Sequence, residues 1–138
     1  MGLFDKLKGN QDIKLTPKGA MALAAMTIIA ADGSIDEDEI SGLRRIVRGD
    51  ENAFNQAYKV FKNKPLADCV EVVAKFVEEK QKACVLANLV DLAMADGVLA
   101  GAEEKLLTSY IASFKMPEDS VKNIIDTIAV KNNFSVFN

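Results

Sequence analysis

Apolar positions recur at helical spacing along the whole chain, and no segment alternates apolar and polar residues as a half-buried strand would. The three prolines stand where helices are expected to begin, because proline at a first helical position loses no hydrogen bond. The pattern predicts an all-α protein, a compact bundle of about seven helices. The predicted helices cover residues 3–8, 17–31, 37–48, 51–62, 65–79, 81–95, 102–113 and 117–130.

Two of these helices are expected to form the centre of the bundle. Residues 20–31 and 83–95 are apolar on nearly every face, which is typical of helices that are buried all round. The junction at Glu79 and Lys80 contains neither glycine nor proline, so the sequence leaves open whether the helices on either side are continuous.

The chain divides into three parts on this pattern. Residues 1–15 form a short amphipathic N-terminal segment, and residues 16–131 form the helical domain. Residues 132–138 form a C-terminal tail, whose apolar residues Phe134, Val136 and Phe137 are expected to dock on the domain.

The two central helices end in the same short motif. The stretch Ala31 to Ile35 (ADGSI) recurs 64 residues later from Ala95 to Leu99 (ADGVL), and the register continues from Glu39 to Glu103. The chain therefore reads as a pseudo-twofold internal repeat of helix, turn and helix, with copies at about 17–50 and 81–114. Glycine in each turn supplies the left-handed conformation that ends a helix.

The composition limits the chemistry that such a fold can perform. The chain has no histidine, which excludes the usual catalytic triads and nearly all zinc, copper and haem sites. The net charge is −3, which argues against nucleic acid as a partner. We therefore predict no catalytic residues and no cofactor-binding residues.

Acidic residues gather at the two repeated turns. Both copies contain the pattern Asp-Gly-x-apolar-x-x-x-Glu, which helix capping alone does not require. If the two turns meet across the pseudo-twofold axis, their carboxylates form a site for a divalent cation, with calcium, magnesium and manganese all suited to oxygen ligands. The predicted ligands are the four repeated acids together with two further candidates, namely Asp32, Glu39, Asp96, Glu103, Asp36 and Asp91.

These turns are not EF-hand loops, although the shared pattern equals the second half of one. The first and third ligand positions of an EF-hand would fall on Ile28 and Ala30 in the first copy, and on Leu92 and Met94 in the second. None of these side chains carries a ligating oxygen.

The doubled motif, together with the opening residues MGLFDKLKG, resembles the TerB family of tellurite resistance domains. The resemblance implies a helical domain with clustered acids that bind metal, and a role in tellurite and related stress responses. It also implies other Ter proteins or membrane-associated proteins as partners, at the inner face of the membrane. The second copy departs from an acid-rich turn at residues 100–102 (AGA).

The leading hypothesis is a non-enzymatic stress-response module that is cytoplasmic, with peripheral contact with the inner membrane. The alternative is a protein-interaction domain that uses an acidic surface and no specific metal, and a metal-dependent hydrolase ranks last. Cys69 and Cys84 each lie among apolar residues and are predicted to be buried, reduced thiols, although a disulfide remains an alternative.

Overall fold

The computed structural model describes residues 13–31, 37–94 and 101–138, and helices account for most of them. Within these ranges there are seven α-helices and no strand, which confirms the all-α prediction. The helices are α1 (Pro17–Ala30), α2 (Glu37–Ile46), α3 (Glu51–Phe61), α4 (Leu66–Phe76), α5 (Lys82–Ala93), α6 (Gly101–Phe114) and α7 (Glu118–Lys131), with short 3-10 turns at Glu79–Gln81 and Phe134–Phe137. The helix expected at residues 3–8 lies outside the described residues.

Helix α1 lies at the centre of the bundle. Every residue from Gly19 to Ile29 is buried, because α2, α3, α4, α5 and α6 all pack against this helix. Its alanines let these neighbours approach closely, and the Thr16 hydroxyl caps its first turn by accepting a hydrogen bond from the Gly19 amide at 3.0 Å. The prediction that this helix is buried all round is confirmed.

Helix α5 departs from the same prediction. Leu86 and Leu89 are fully buried, but Ala83 and Cys84 are exposed. Among the described helices, α5 packs mainly against α1, α6 and α7, and these leave the surface at Ala83 and Cys84 exposed. The expectation of a helix buried on every face was therefore wrong for α5.

The junction between α4 and α5 is a break in the helix, although it contains no glycine or proline. Val77 takes an extended conformation and ends α4. The Gln81 side chain then accepts a hydrogen bond from the Glu78 amide at 2.9 Å, which completes the start of the following 3-10 turn. At this junction a side-chain hydrogen bond begins the next turn, and neither glycine nor proline is needed to end the helix.

The helix boundaries keep the spacing of the proposed repeat. Helix α2 begins at Glu37 and α6 begins at Gly101, which are 64 residues apart as the sequence motif requires. The motif turns themselves lie outside the described residues, so the twofold relation between the copies stays a prediction.

The C-terminal tail does not dock on the domain as expected. It forms the 3-10 turn Phe134–Phe137, and its apolar side chains are exposed by 70% at Phe134, 68% at Val136 and 81% at Phe137. The two phenylalanine rings lie 6.3 Å apart, centroid to centroid, and so contact each other.

Candidate functional site

Half of the predicted cation ligands belong to the described part of the structure. Glu39, Asp91 and Glu103 lie within it, whereas Asp32, Asp36 and Asp96 lie outside. Among the described residues no three acidic or cysteine side chains lie close enough together to hold a metal ion. The convergence of the repeated acids therefore stays a prediction, as does the left-handed conformation of Gly33 and Gly97.

Glu39 and Glu103 occupy equivalent places in the fold. Each is the third residue of its helix, in the first turn of α2 and of α6, and each is half-buried. Their neighbours Glu37 and Glu104 are exposed. Carboxylates in a first turn are stabilised by the positive end of the helix dipole. The two repeated glutamates are thus less exposed than Glu37 and Glu104, on two helices that both pack against α1.

Asp91 forms a structural contact that the sequence did not indicate. Its Oδ1 accepts a hydrogen bond from the Asn132 side-chain amide at 2.8 Å, and its Oδ2 lies 3.2 Å from the Lys131 ammonium. The Asp91 side chain is 35% exposed. These contacts join the last turn of α5 to the C-terminal end of α7, across 40 residues of chain.

A solvent-accessible groove with a volume of about 530 Å³ lies between α1, α2 and α5. Its walls combine apolar side chains with the basic residues Lys18, Arg45 and Arg48. The sequence analysis did not identify this groove, because three helices distant in the chain form it. The only local signal was the concentration of arginines near the end of α2.

The two cysteines are free thiols in different environments. Cys69 is fully buried on α4, and burial raises the pKa of its thiol. Cys84 is exposed and lies on the wall of the groove. The prediction of buried, reduced thiols is therefore correct for Cys69 and wrong for the location of Cys84, since the described helices leave the Cys84 face of α5 exposed.

No helix among residues 13–31, 37–94 and 101–138 is long and apolar enough to cross a membrane.

Comparison with known proteins shows a family model that matches most of the chain. The family model described as tellurite resistance protein TerB matches residues 18–126, from the start of α1 into α7. Dynein axonemal heavy chain 17 of Homo sapiens is 39% identical over 85 residues, which cover 54% of this chain but only 2% of the dynein chain. This likeness concerns so small a part of the dynein that it carries no conclusion about function. No solved structure matches the chain.

Proposed function

The chain belongs to the TerB family of tellurite resistance proteins. From this premise we propose that it is a non-enzymatic module of a bacterial stress response. In this proposal the module binds one divalent cation between its two acidic turns. One observation carries the proposal. Glu39 and Glu103 occupy the same position in α2 and α6, and both are half-buried, whereas Glu37 and Glu104 in the same helix turns are exposed.

The proposed ligands are the four acids that the two copies share. Each copy contributes an aspartate from its turn, Asp32 or Asp96, and a glutamate from the helix that follows, Glu39 or Glu103. Carboxylate oxygens are hard ligands that suit calcium, magnesium or manganese, and a cation between them relieves their mutual repulsion. Asp36 is a further candidate ligand from the first turn.

Asp91 has a different role in this proposal. Its carboxylate already accepts contacts from Lys131 and Asn132, so binding a cation there would require giving up an ion pair and a hydrogen bond. We assign Asp91 to holding α5 against α7, next to the second acidic turn.

The bound cation would join the turns after α1 and α5, and so couple the metal concentration to the arrangement of the two copies. The absence of histidine from the sequence and the generally non-enzymatic character of TerB-like domains support a binding role over catalysis. In this proposal the module acts in the cytoplasm with other Ter proteins or membrane-associated proteins, in peripheral contact with the inner membrane. The net charge of −3 favours such partners over nucleic acid.

The test is calorimetric titration of chelator-stripped protein with calcium, magnesium and manganese in turn. We expect micromolar binding of one ion per chain, lost in the Asp32→Asn/Asp96→Asn variant and weakened in Glu39→Gln/Glu103→Gln. The matched control, Glu37→Gln/Glu104→Gln, removes the same charge from exposed positions in the same helix turns and should bind normally.

Absence of heat at millimolar metal would contradict the cation site. The acids would then be interpreted as a docking surface for a basic protein partner, and the next experiment would be to isolate that partner. Equal loss of binding in the exposed control pair would show that overall charge, and not a defined ligand set, attracts the ion.

A further inference from the structure

The groove between α1, α2 and α5 has a chemistry that the cation proposal does not use. Four apolar side chains contribute to its walls: Met21 and Val85 are buried, and Ile46 and Leu92 are half-buried. The volume of about 530 Å³ falls within the range of sites that hold small organic ligands. An apolar ligand in this groove would gain mainly from covering the half-buried Ile46 and Leu92, because Met21 and Val85 are already largely removed from water.

The charges along the groove are opposite in sign to the net charge of the chain. Lys18, Arg45 and Arg48 line it, whereas the chain as a whole carries −3. The acidic residue that also lines it, Asp91, is already paired with Lys131. Among the described residues that line it, the groove therefore presents more positive than negative charge beside an apolar surface.

Two of these cations have no acidic partner in the described part of the chain. Neither Arg45 nor Arg48 forms an ion pair there, and Arg48 donates one hydrogen bond, at 3.3 Å, to the backbone carbonyl of Arg45. Lys18 lies 3.8 Å from Asp50, a distance typical of a weak surface pair. Guanidinium groups offer paired N–H donors that match the two oxygens of a carboxylate.

We propose that this groove binds a free medium-chain fatty acid, with its carboxylate at Arg45 and Arg48 and its alkyl chain against Met21, Ile46, Val85 and Leu92. The apolar walls, and the two guanidinium groups that have no acidic partner among the described residues, together favour an anionic ligand with an aliphatic chain. Burial of the chain supplies affinity in proportion to its length, and the arginines select the charged end.

Cys84 provides a direct readout, because it is exposed on the groove wall while Cys69 is buried. The experiment measures the rate at which Ellman's reagent labels Cys84 in the native full chain, with octanoate, decanoate and laurate added below their micelle concentrations. We expect laurate to slow the labelling at least tenfold with saturation at one molecule per chain. The Kd should fall by up to roughly tenfold for each two methylene groups added.

Two variants test whether Arg45 and Arg48 bind the ligand or only stabilise the end of α2. Arg45→Gln/Arg48→Gln should weaken laurate binding at least tenfold while the circular dichroism spectrum stays unchanged. Arg44→Gln is the matched control and should bind laurate normally, because Arg44 pairs with Glu51 and lies over the Phe54 ring, 4.6 Å from its centroid, and does not line the groove.

Three results would overturn the proposal. Decanol that protects Cys84 as well as decanoate does would show that the groove does not recognise charge. Laurate binding that is unaffected in Arg45→Gln/Arg48→Gln would place the ligand elsewhere. Labelling that slows as the protein concentration rises, without added ligand, would show that a second copy of the chain covers the groove.

Discussion

The Tyr110 hydroxyl lies 2.6 Å from the Thr27 hydroxyl, and this contact joins α6 to α1 inside the bundle. Thr27 donates its hydroxyl proton to the Ala24 carbonyl at 2.7 Å, so Tyr110 is the donor to Thr27. Both side chains are fully buried. The pair fixes the orientation of α6 on the central helix, because a buried hydroxyl that loses its partner is costly.

Removing each hydroxyl should therefore have unequal effects. Tyr110→Phe removes the donor and leaves Thr27 bonded to Ala24, so we expect a loss of about 0.5–1.5 kcal/mol of unfolding free energy. Thr27→Val leaves the Tyr110 hydroxyl without its acceptor and should cost about 1–3 kcal/mol. The double variant should cost less than the sum, as measured by urea denaturation. Strict additivity would show that the two hydroxyls do not interact.

Stability should fall at alkaline pH through buried acidic groups. Burial is the main cause that raises the pKa of Tyr110, and burial also raises the pKa of Cys69. As the pH rises through about 9 to 10, the unfolded chain therefore releases these protons before the folded protein does. The unfolding free energy then falls by up to about 1.4 kcal/mol per pH unit for each group. Below the pKa values that the two groups have in the unfolded chain, their contribution to the unfolding free energy is complete.

The control for this prediction is a second tyrosine. Urea denaturation between pH 8 and 11 should show a shallower loss of stability in Tyr110→Phe than in the natural sequence. Tyr58→Phe, at a tyrosine that is 48% exposed, should retain the natural slope. Identical slopes in all three proteins would rule out Tyr110 as a source of the alkaline instability.

Helices α2 and α6 end in the same way, with a basic residue in the left-handed conformation. Arg48 has a φ of 56° and Lys115 a φ of 55°. In each case the residue that follows donates its amide proton back to the last helical turn, from Gly49 to Arg44 and from Met116 to Ile111. This is the Schellman arrangement, in which glycine is usually preferred.

Glycine at Lys115 should therefore stabilise the protein. We expect Lys115→Gly to raise the unfolding free energy by about 1 kcal/mol, because an L side chain is strained at this φ. Lys122→Gly, at an exposed position inside α7, should lower it by about 1 kcal/mol. A destabilised Lys115→Gly variant would mean that the lysine side chain contributes more than its backbone strain costs.

Lys82 links the start of α5 to the end of α6. Its ammonium donates a hydrogen bond to the Phe114 carbonyl at 3.0 Å and lies 2.7 Å from the Glu79 carboxylate. A cation at a helix C-terminus is favourable, so Lys82→Met should lower the unfolding free energy by about 1 kcal/mol. Lys80→Met, at an exposed neighbour, should change it by less than about 0.5 kcal/mol in the same thermal denaturation series. If Lys82→Met and Lys80→Met lower the unfolding free energy equally, the loss comes from the removed charge alone and not from the contact with Phe114.

The helices were predictable from local signals. Helix α3 was expected at 51–62 and lies at Glu51–Phe61, while α7 was expected at 117–130 and lies at Glu118–Lys131. Pro65 and Pro117 precede their helices by one residue and do not occupy the first helical position. Apolar spacing and helix-starting residues depend on neighbours in the sequence, which explains this success.

The side-chain environments were not predictable in the same way. The contact of Asp91 with Asn132 depends on how α5 and α7 pack, and no pattern near either residue specifies it. The exposure of Cys84 depends on how the described helices pack around α5, although its sequence neighbours are apolar. The groove likewise depends on three helices from separate parts of the chain.

The burial of residues 19–29 of α1 has a consequence for synthesis of the protein. This helix is translated before the six described helices that follow, yet its surface is covered in part by α5 and α6. A nascent chain that ends at Phe76 still lacks both, so an apolar strip of α1 stays open to chaperones and proteases on the ribosome. Folding is thus completed only when the second half of the chain arrives, which couples the survival of each molecule to uninterrupted translation.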